Sequence, residues 1–445
     1  MKPIVFAYIL GGMNRGAVLC QLTTVSMKMY IMVAKYNFTL NIDIISLLSV
    51  ASFIGSIIGM LLQPNFLKWF GFYVSLRIVA VLNLIANGLC MLEIHWGYLF
   101  ALKIFAGFTS VMQVTLVPAM GGELLEPKIR GIVGSLTNLS LQLSMVICNV
   151  IQYFVQQNPK LYPVTLVYPS AISIAMIILC FIMKAPKVKD DVEMRSTISV
   201  EQDLKPVVKS ESIFQMKYFK SFIIAITMGM SVGASGINPV LQYSTLIFAT
   251  TFKSKKSGTI GAIITSCISL ASSAITMPFV KRFKRKQLFN TGLGVMLLCY
   301  VALIIILYSK LDNKTLSDDL VLCITSLMIF SFNISSASLF YIIIGEVFPR
   351  QVKTAAISFS MAASVGSLII QTYVYPHLNQ QENYIFFLCW MFVFYIFVVF
   401  AVPKTANKSL EEIELEMIPK KYQIANQTKE EKEVEARETQ YAVTE

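Results

Sequence analysis

Apolar residues in this 445-residue chain gather into long unbroken runs instead of alternating with polar ones. A helix needs about twenty consecutive apolar residues to cross a bilayer. Twelve such runs can be read, at 4–30, 43–66, 74–93, 97–120, 131–155, 164–184, 218–250, 258–280, 287–308, 319–344, 354–376 and 384–402. The runs at 4–30 and 218–250 are long enough to bend or to overrun the bilayer. The widest internal gap, 185–217, is rich in Lys, Asp, Glu and Ser and leaves six runs on either side. The expected organisation is an N-terminal six-helix bundle over 1–184, a cytoplasmic linker over 185–217, a C-terminal six-helix bundle over 218–403 and a polar, Glu-rich cytoplasmic tail over 404–445.

The polar punctuation repeats at half-length. Gly122-Glu123-Leu124-Leu125-Glu126-Pro127-Lys128-Ile129-Arg130 is echoed by Gly345-Glu346-Val347-Phe348-Pro349-Arg350-Gln351-Val352-Lys353, each placing a Glu at a run's end and a basic residue seven positions later. Lys68-Trp69-Phe70-Gly71 corresponds to Lys281-Arg282-Phe283-Lys284, and Ala185-Pro186-Lys187 to Val402-Pro403-Lys404. Offsets of about 213–223 residues, all on one membrane face, indicate a duplicated protein with parallel repeats.

Composition narrows the class. Residues are 56% hydrophobic and only 14% charged, so the apolar excess must face lipid. The net charge of +12 does not suggest nucleic acid, because the basic residues fall in short gaps between apolar runs. Gaps holding Lys68, Lys128, Arg130, Lys187, Arg350, Lys353 and the Lys281–Lys286 run are expected to be cytoplasmic, which places both termini inside. The sequons at Asn37 and Asn313 then face outside. The eight cysteines stand singly and only His95 and His377 are present, so no disulfide, metal or cofactor is expected. No nucleophile–base pair or phosphate loop is visible, and an enzyme is not expected. The first run is too long for a cleaved signal and is expected to stay in the membrane.

Several motifs resemble the sugar porter family of the major facilitator superfamily. Ser235-Gly236-Ile237-Asn238, Tyr243-Ser244-Thr245 and Ile247-Phe248 are similar to its span-7 signature. Pro403-Lys404-Thr405 with Ser409-Leu410-Glu411-Glu412-Ile413 resembles its terminal segment, and Pro118, Glu123, Arg130 and Gly131 its span 4–5 motif. Gly12-Met13-Asn14-Arg15-Gly16 is similar to the span-1 motif. The chain departs from the family at Phe72-Tyr73, where basic residues are usual, at Lys103 and at Val232-Gly233. The resemblance implies an all-α major facilitator fold, twelve transmembrane helices in two six-helix bundles, working by alternating access.

Sugar hydroxyls both donate and accept, so a sugar site needs amides, hydroxyls and an aromatic face. Asn138, Gln142 and Asn149 fall on one stripe of span 5, and Asn238 and Gln242 on one face of span 7. These amides either line a cavity or hold helices together. The resemblance assigns Asn138 and Asn238 to sugar-binding positions, Tyr341 to the span-10 aromatic, and Ser266 (or Ser269) and Ser364 to positions where the family often has Asn. Tyr243 and Asn14 complete the candidate substrate set.

Proton-coupled members carry an Asp where Asn14 stands, and an amide cannot exchange a proton at physiological pH, which points to facilitated diffusion. Glu123, Arg130, Glu346, Lys353 and Arg285 form candidate gating ion pairs at the cytoplasmic span ends, or else ordinary interfacial charges. Arg15, near mid-span, either pairs within its bundle or attracts an anion, with or without Lys103. The expectation is a monomeric plasma-membrane hexose uniporter with a small-molecule sugar and membrane lipid as partners. The alternatives are a carrier of organic anions or sugar phosphates, and a non-transporting sugar receptor.

Overall fold

The computed structural model describes residues 4–20, 42–90, 95–124, 127–158, 161, 164–183, 214–251, 255–282, 285–309, 314–337, 339–340 and 352–401, with side chains at 64, 68, 118–135, 166, 246, 249–256, 277–285, 353–355, 358 and 401 excepted. Among the described residues, a helix lies in each of the twelve apolar runs.

In the first half these are α1 (Ile4–Cys20), α2 (Ile42–Leu89), α3 (Trp96–Leu124), α4 (Pro127–Gln157) and α5 (Val164–Ile182). α2 contains two spans, Ile42–Gln63 and Trp69–Leu89, folded about Gly71 at φ 68, ψ 172. That backbone conformation is open essentially to glycine alone, so the chain can turn back only because position 71 lacks a Cβ. Ser75 Oγ closes the bend by donating to the Phe66 carbonyl at 3.0 Å.

The second half holds α6 (Phe219–Gly233), α7 (Ile237–Gln242), α8 (Ser244–Thr251), α9 (Lys255–Arg282), α10 (Arg285–Ser309), α11 (Lys314–Phe332), α12 (Lys353–Val374) and α13 (Gln380–Ala401). α11 runs into a π-helical turn, Asn333–Ala337. The run at 218–250 is broken at Gly236, which adopts φ 70. A Cβ there would lie 2.4 Å from Tyr300 Oη and 2.8 Å from Phe387, and Tyr300 Oη donates to the Ser235 carbonyl at 2.6 Å.

The two largest hydrophobic cores are separate. One draws on residues between Ile4 and Met183, the other on residues between Tyr218 and Val398. Leu298, Phe181 and Phe400 stand exposed on the outside, an arrangement costly in water and natural in lipid. The half-chain echo is visible in three dimensions. Arg77 Nε donates to the Cys180 carbonyl at the end of α5 (3.2 Å), and Lys286 Nζ to the Val399 carbonyl at the end of α13 (3.0 Å). Each cation braces the C-terminal turn of the last helix in its half, where carbonyls lack helical partners.

The halves meet along two seams. α2 packs on α12, and α4 packs on α9. Residues 185–213 of the linker, the whole tail 404–445, Asn37, Asn313, Tyr341 and Glu346 lie outside the described residues, as do the side chains of Glu123, Arg130, Arg285 and Lys353.

Candidate functional site

A narrow crevice lies between the halves, lined by Leu19, Cys20, Phe53, Met145 and Asn149 from one side and Asn238, Leu241 and Gln242 from the other. Its polar groups are amides. The break at Gly236 brings Asn238 and Gln242, one helical turn apart on α7, to the wall together. Gln242 Oε1 and Gln142 Oε1 are buried and have no hydrogen-bond partner among the described residues. Buried acceptors are ordinarily paired, so these two oxygens suit a ligand that offers hydroxyl donors.

Other residues of the expected site stand behind or beside this wall. Asn149 Nδ2 donates to Ser266 Oγ at 2.6 Å and lies 3.4 Å from the Ala262 carbonyl, so Ser266 supports Asn149 from α9. Gln142 Nε2 approaches Asn333 Oδ1 at 3.5 Å. Asn138 is half-buried on α4, and Ser364, also half-buried, lies on α12 with its carbonyl against Gly233. Tyr243 Oη donates to Ser49 Oγ at 2.7 Å, and its ring stacks on Tyr375 at 4.6 Å.

Asn14 is located elsewhere. It is fully buried inside the first half, where its Nδ2 donates to Gln113 Oε1 at 2.5 Å. Asn83 Nδ2 donates to the same oxygen (3.2 Å), and Asn83 Oδ1 accepts from Thr109 and Asn87. This network binds α1, α2 and α3 together, the helix-to-helix role open to any intramembrane amide. Arg15 Nη1 donates to Ser110 Oγ (3.1 Å), and Lys103 Nζ is directed at the Leu48 carbonyl (3.5 Å). Neither cation belongs to the described crevice wall.

Sequence reasoning missed Asn333. In the π turn it is a hub: its Nδ2 donates to Ser269 Oγ and the Ile329 carbonyl, both at 3.0 Å, and its Oδ1 accepts from Ser273 at 3.3 Å. A lone Asn within the apolar run 319–344 was the available signal. The apolar lining residues Leu19, Phe53 and Met145 carried no signal, since nothing distinguishes them from core residues. No group of three or more His, Cys, Asp or Glu side chains able to hold a metal occurs among the described residues.

Two helical halves with separate cores, apolar exteriors and a crevice between them define a multi-pass membrane transporter of the major facilitator fold. The sequence signature of the family "Sugar (and other) transporter" matches residues 16–417, and the chain belongs to that family, the sugar porters. It is thus a transporter rather than an enzyme. The facilitated glucose transporter member 3 of Oryctolagus cuniculus is 26% identical over 403 residues, covering 82% of this chain and 80% of that protein. The member 1 protein of Gallus gallus is 26% identical over 408 residues, covering 82% and 81%. Among solved structures, the xylose transporter of E. coli in an inward-open conformation superposes with a TM-score of 0.77 at 18% identity, covering 92% of this chain and 98% of that one.

Proposed function

We propose that this protein carries a hexose such as glucose by facilitated diffusion, as an alternating-access uniporter. The supporting observation is the crevice built jointly by both halves, where Asn149 from one half and Asn238 and Gln242 from the other present amides among apolar residues. Amides with an unpartnered acceptor match neutral hydroxyls, and the glucose transporters among the relatives point the same way. Asn14 supports uniport: it is an amide held by Gln113 in the position where a titrating carboxylate would be needed.

The bundles 1–184 and 218–403 would rock about the crevice, joined by the cytoplasmic linker 185–217 and followed by the cytoplasmic tail 404–445. Glu123 with Arg130, and Glu346 with Lys353 and Arg285, would latch the cytoplasmic end while the site faces out. Tyr341 would supply the aromatic face, with Asn138, Gln142, Tyr243, Ser266 and Ser364 completing or supporting the site. The protein would act as a monomer in the plasma membrane with both termini inside. The end formed by the start of α2 and the end of α12 is then the outer one.

Labelled-glucose uptake into proteoliposomes, with and without an inward proton gradient, tests this. A uniporter equilibrates the sugar and never concentrates it, whatever pH does to the rate. Accumulation above the external concentration would overturn uniport. Binding without flux would favour the receptor. Transport of an anionic sugar alone, abolished by Arg15→Thr, would favour the anion carrier.

A further inference from the structure

The seam between α2 and α12 ends in an ionic contact that the transport reading does not use. His377 Nε2 lies 2.9 Å from Asp43 Oδ1, joining the last turn after α12 to the first turn of α2. The two residues come from opposite halves of the chain. We propose that Asp43 and His377 form a proton-binding latch on the outer face, closing the crevice to the outside when His377 is protonated.

The hydrogen-bond geometry carries the argument. His377 Nδ1 lies 3.1 Å from the Tyr373 carbonyl and 3.4 Å from Ser46 Oγ. A carbonyl oxygen can only accept, and so can an ionised carboxylate. The Ser46 hydroxyl already donates its proton to the Ile42 carbonyl at 3.0 Å. Both ring nitrogens therefore face acceptors. Only the doubly protonated imidazolium donates from both; either neutral tautomer sets a lone pair against an acceptor.

Helix electrostatics act in the same direction. Asp43 sits in the first turn of α2, where a negative charge is favoured, and His377 follows the end of α12, where a positive one is favoured. Among the described residues, the Tyr373 ring centroid lies 5.2 Å from that of His377, and Glu382 at the start of α13 accepts from the Asn379 N–H through Oε2. The side chains of His377 and Asp43 are 34% and 56% exposed, so protons from the external medium reach them directly.

The latch rests on the alternating-access reading. α2 and α12 belong to different halves, and their seam must part when the outer side opens. Protonation adds the ion pair only in the closed arrangement, so external acid favours closure. Imidazoles change charge between about pH 5 and 8, the range over which an external medium varies. An exposed pair shifts an equilibrium only about two- to fivefold, but a two-state gate near balance responds to that.

The test uses native Cys20, which lines the crevice. A membrane-impermeant maleimide is applied to the full-length protein in liposomes from the face bearing His377, and Cys20→Ser identifies the Cys20 signal. The wild-type rate is divided by that of His377→Gln at each pH, which cancels the thiol's own pH dependence. The ratio is expected to fall about two- to fivefold from pH 8 to pH 5.5. It should stay flat when Asp43→Asn replaces the wild type, and flatten in high salt. A flat or rising wild-type ratio overturns the latch. So does a Cys20 that is unlabelled at every pH in every variant, because the crevice would then never open to that face. The readout involves no sugar, so an absence of glucose flux would count against the uniport reading alone.

Discussion

Asn149 on α4 donates to Ser266 on α9 at 2.6 Å, so one amide of the crevice wall is also a bond between the two halves. In the proposed alternating-access cycle, the site and the moving seam share this residue. Substrate that competes for the amide would at the same time loosen the seam.

Asn149→Ala and Ser266→Ala should therefore each lower glucose uptake at subsaturating concentrations. A buried hydrogen bond contributes about 1 kcal/mol, or roughly fivefold. The double variant should be little worse than Asn149→Ala, because both changes delete one contact. Initial-rate uptake of the three variants against wild type checks this. Fully additive losses would mean that the two residues act separately.

Tyr243→Phe removes the hydroxyl that reaches Ser49 but keeps the stack on Tyr375. The closed outer end should lose about 1 kcal/mol, seen as a roughly fivefold faster labelling of Cys20 from outside. Tyr243→Ala also loses the stacking, worth about 0.5–1.5 kcal/mol more, and should label faster still.

Gly71 and Gly236 both hold positive φ but differ in surroundings. A Cβ at 71 meets nothing within 4 Å, whereas one at 236 collides with Tyr300 and Phe387. Gly71→Ala should thus show backbone strain alone, about 1–3 kcal/mol. Gly236→Ala should cost more and abolish transport, since α7 carries Asn238 and Gln242. Thermal unfolding in detergent, read beside uptake, separates the two.

Asn333→Asp replaces a donor with a carboxylate facing the Ile329 carbonyl at the hub. Stability should fall by about 1–3 kcal/mol. The neutral acid restores one donor, and burial favours that form, so the loss should shrink as pH falls from 8 to 5. Melting temperatures at the two pH values give the sign; a larger loss in acid would contradict the assigned hydrogen bonds.

Much of the fold was legible because lipid imposes a coarse rule. Backbone polar groups must be satisfied within a spanning helix, so long apolar runs can hardly become anything else. A bend somewhere in the run 218–250 was legible from its length, but its place at Gly236 was not. The site was less legible, because amides serve equally as ligands and as helix contacts. Asn14 and Asn149 look alike in sequence, yet Asn14 ends in the core of one half and Asn149 on the crevice wall. Asp43 and His377 carried no mark at all, being separated by 334 residues and polar at helix ends where polar residues are common.

The order of apolar runs, the duplication and the membership of a transporter family are properties of the sequence by itself, since they depend on hydropathy and local motifs. Which amides face the crevice, and which residues join the halves, was decided by tertiary structure. Helix rotation and the packing of α2 on α12 and α4 on α9 choose between faces that the one-dimensional pattern leaves equivalent.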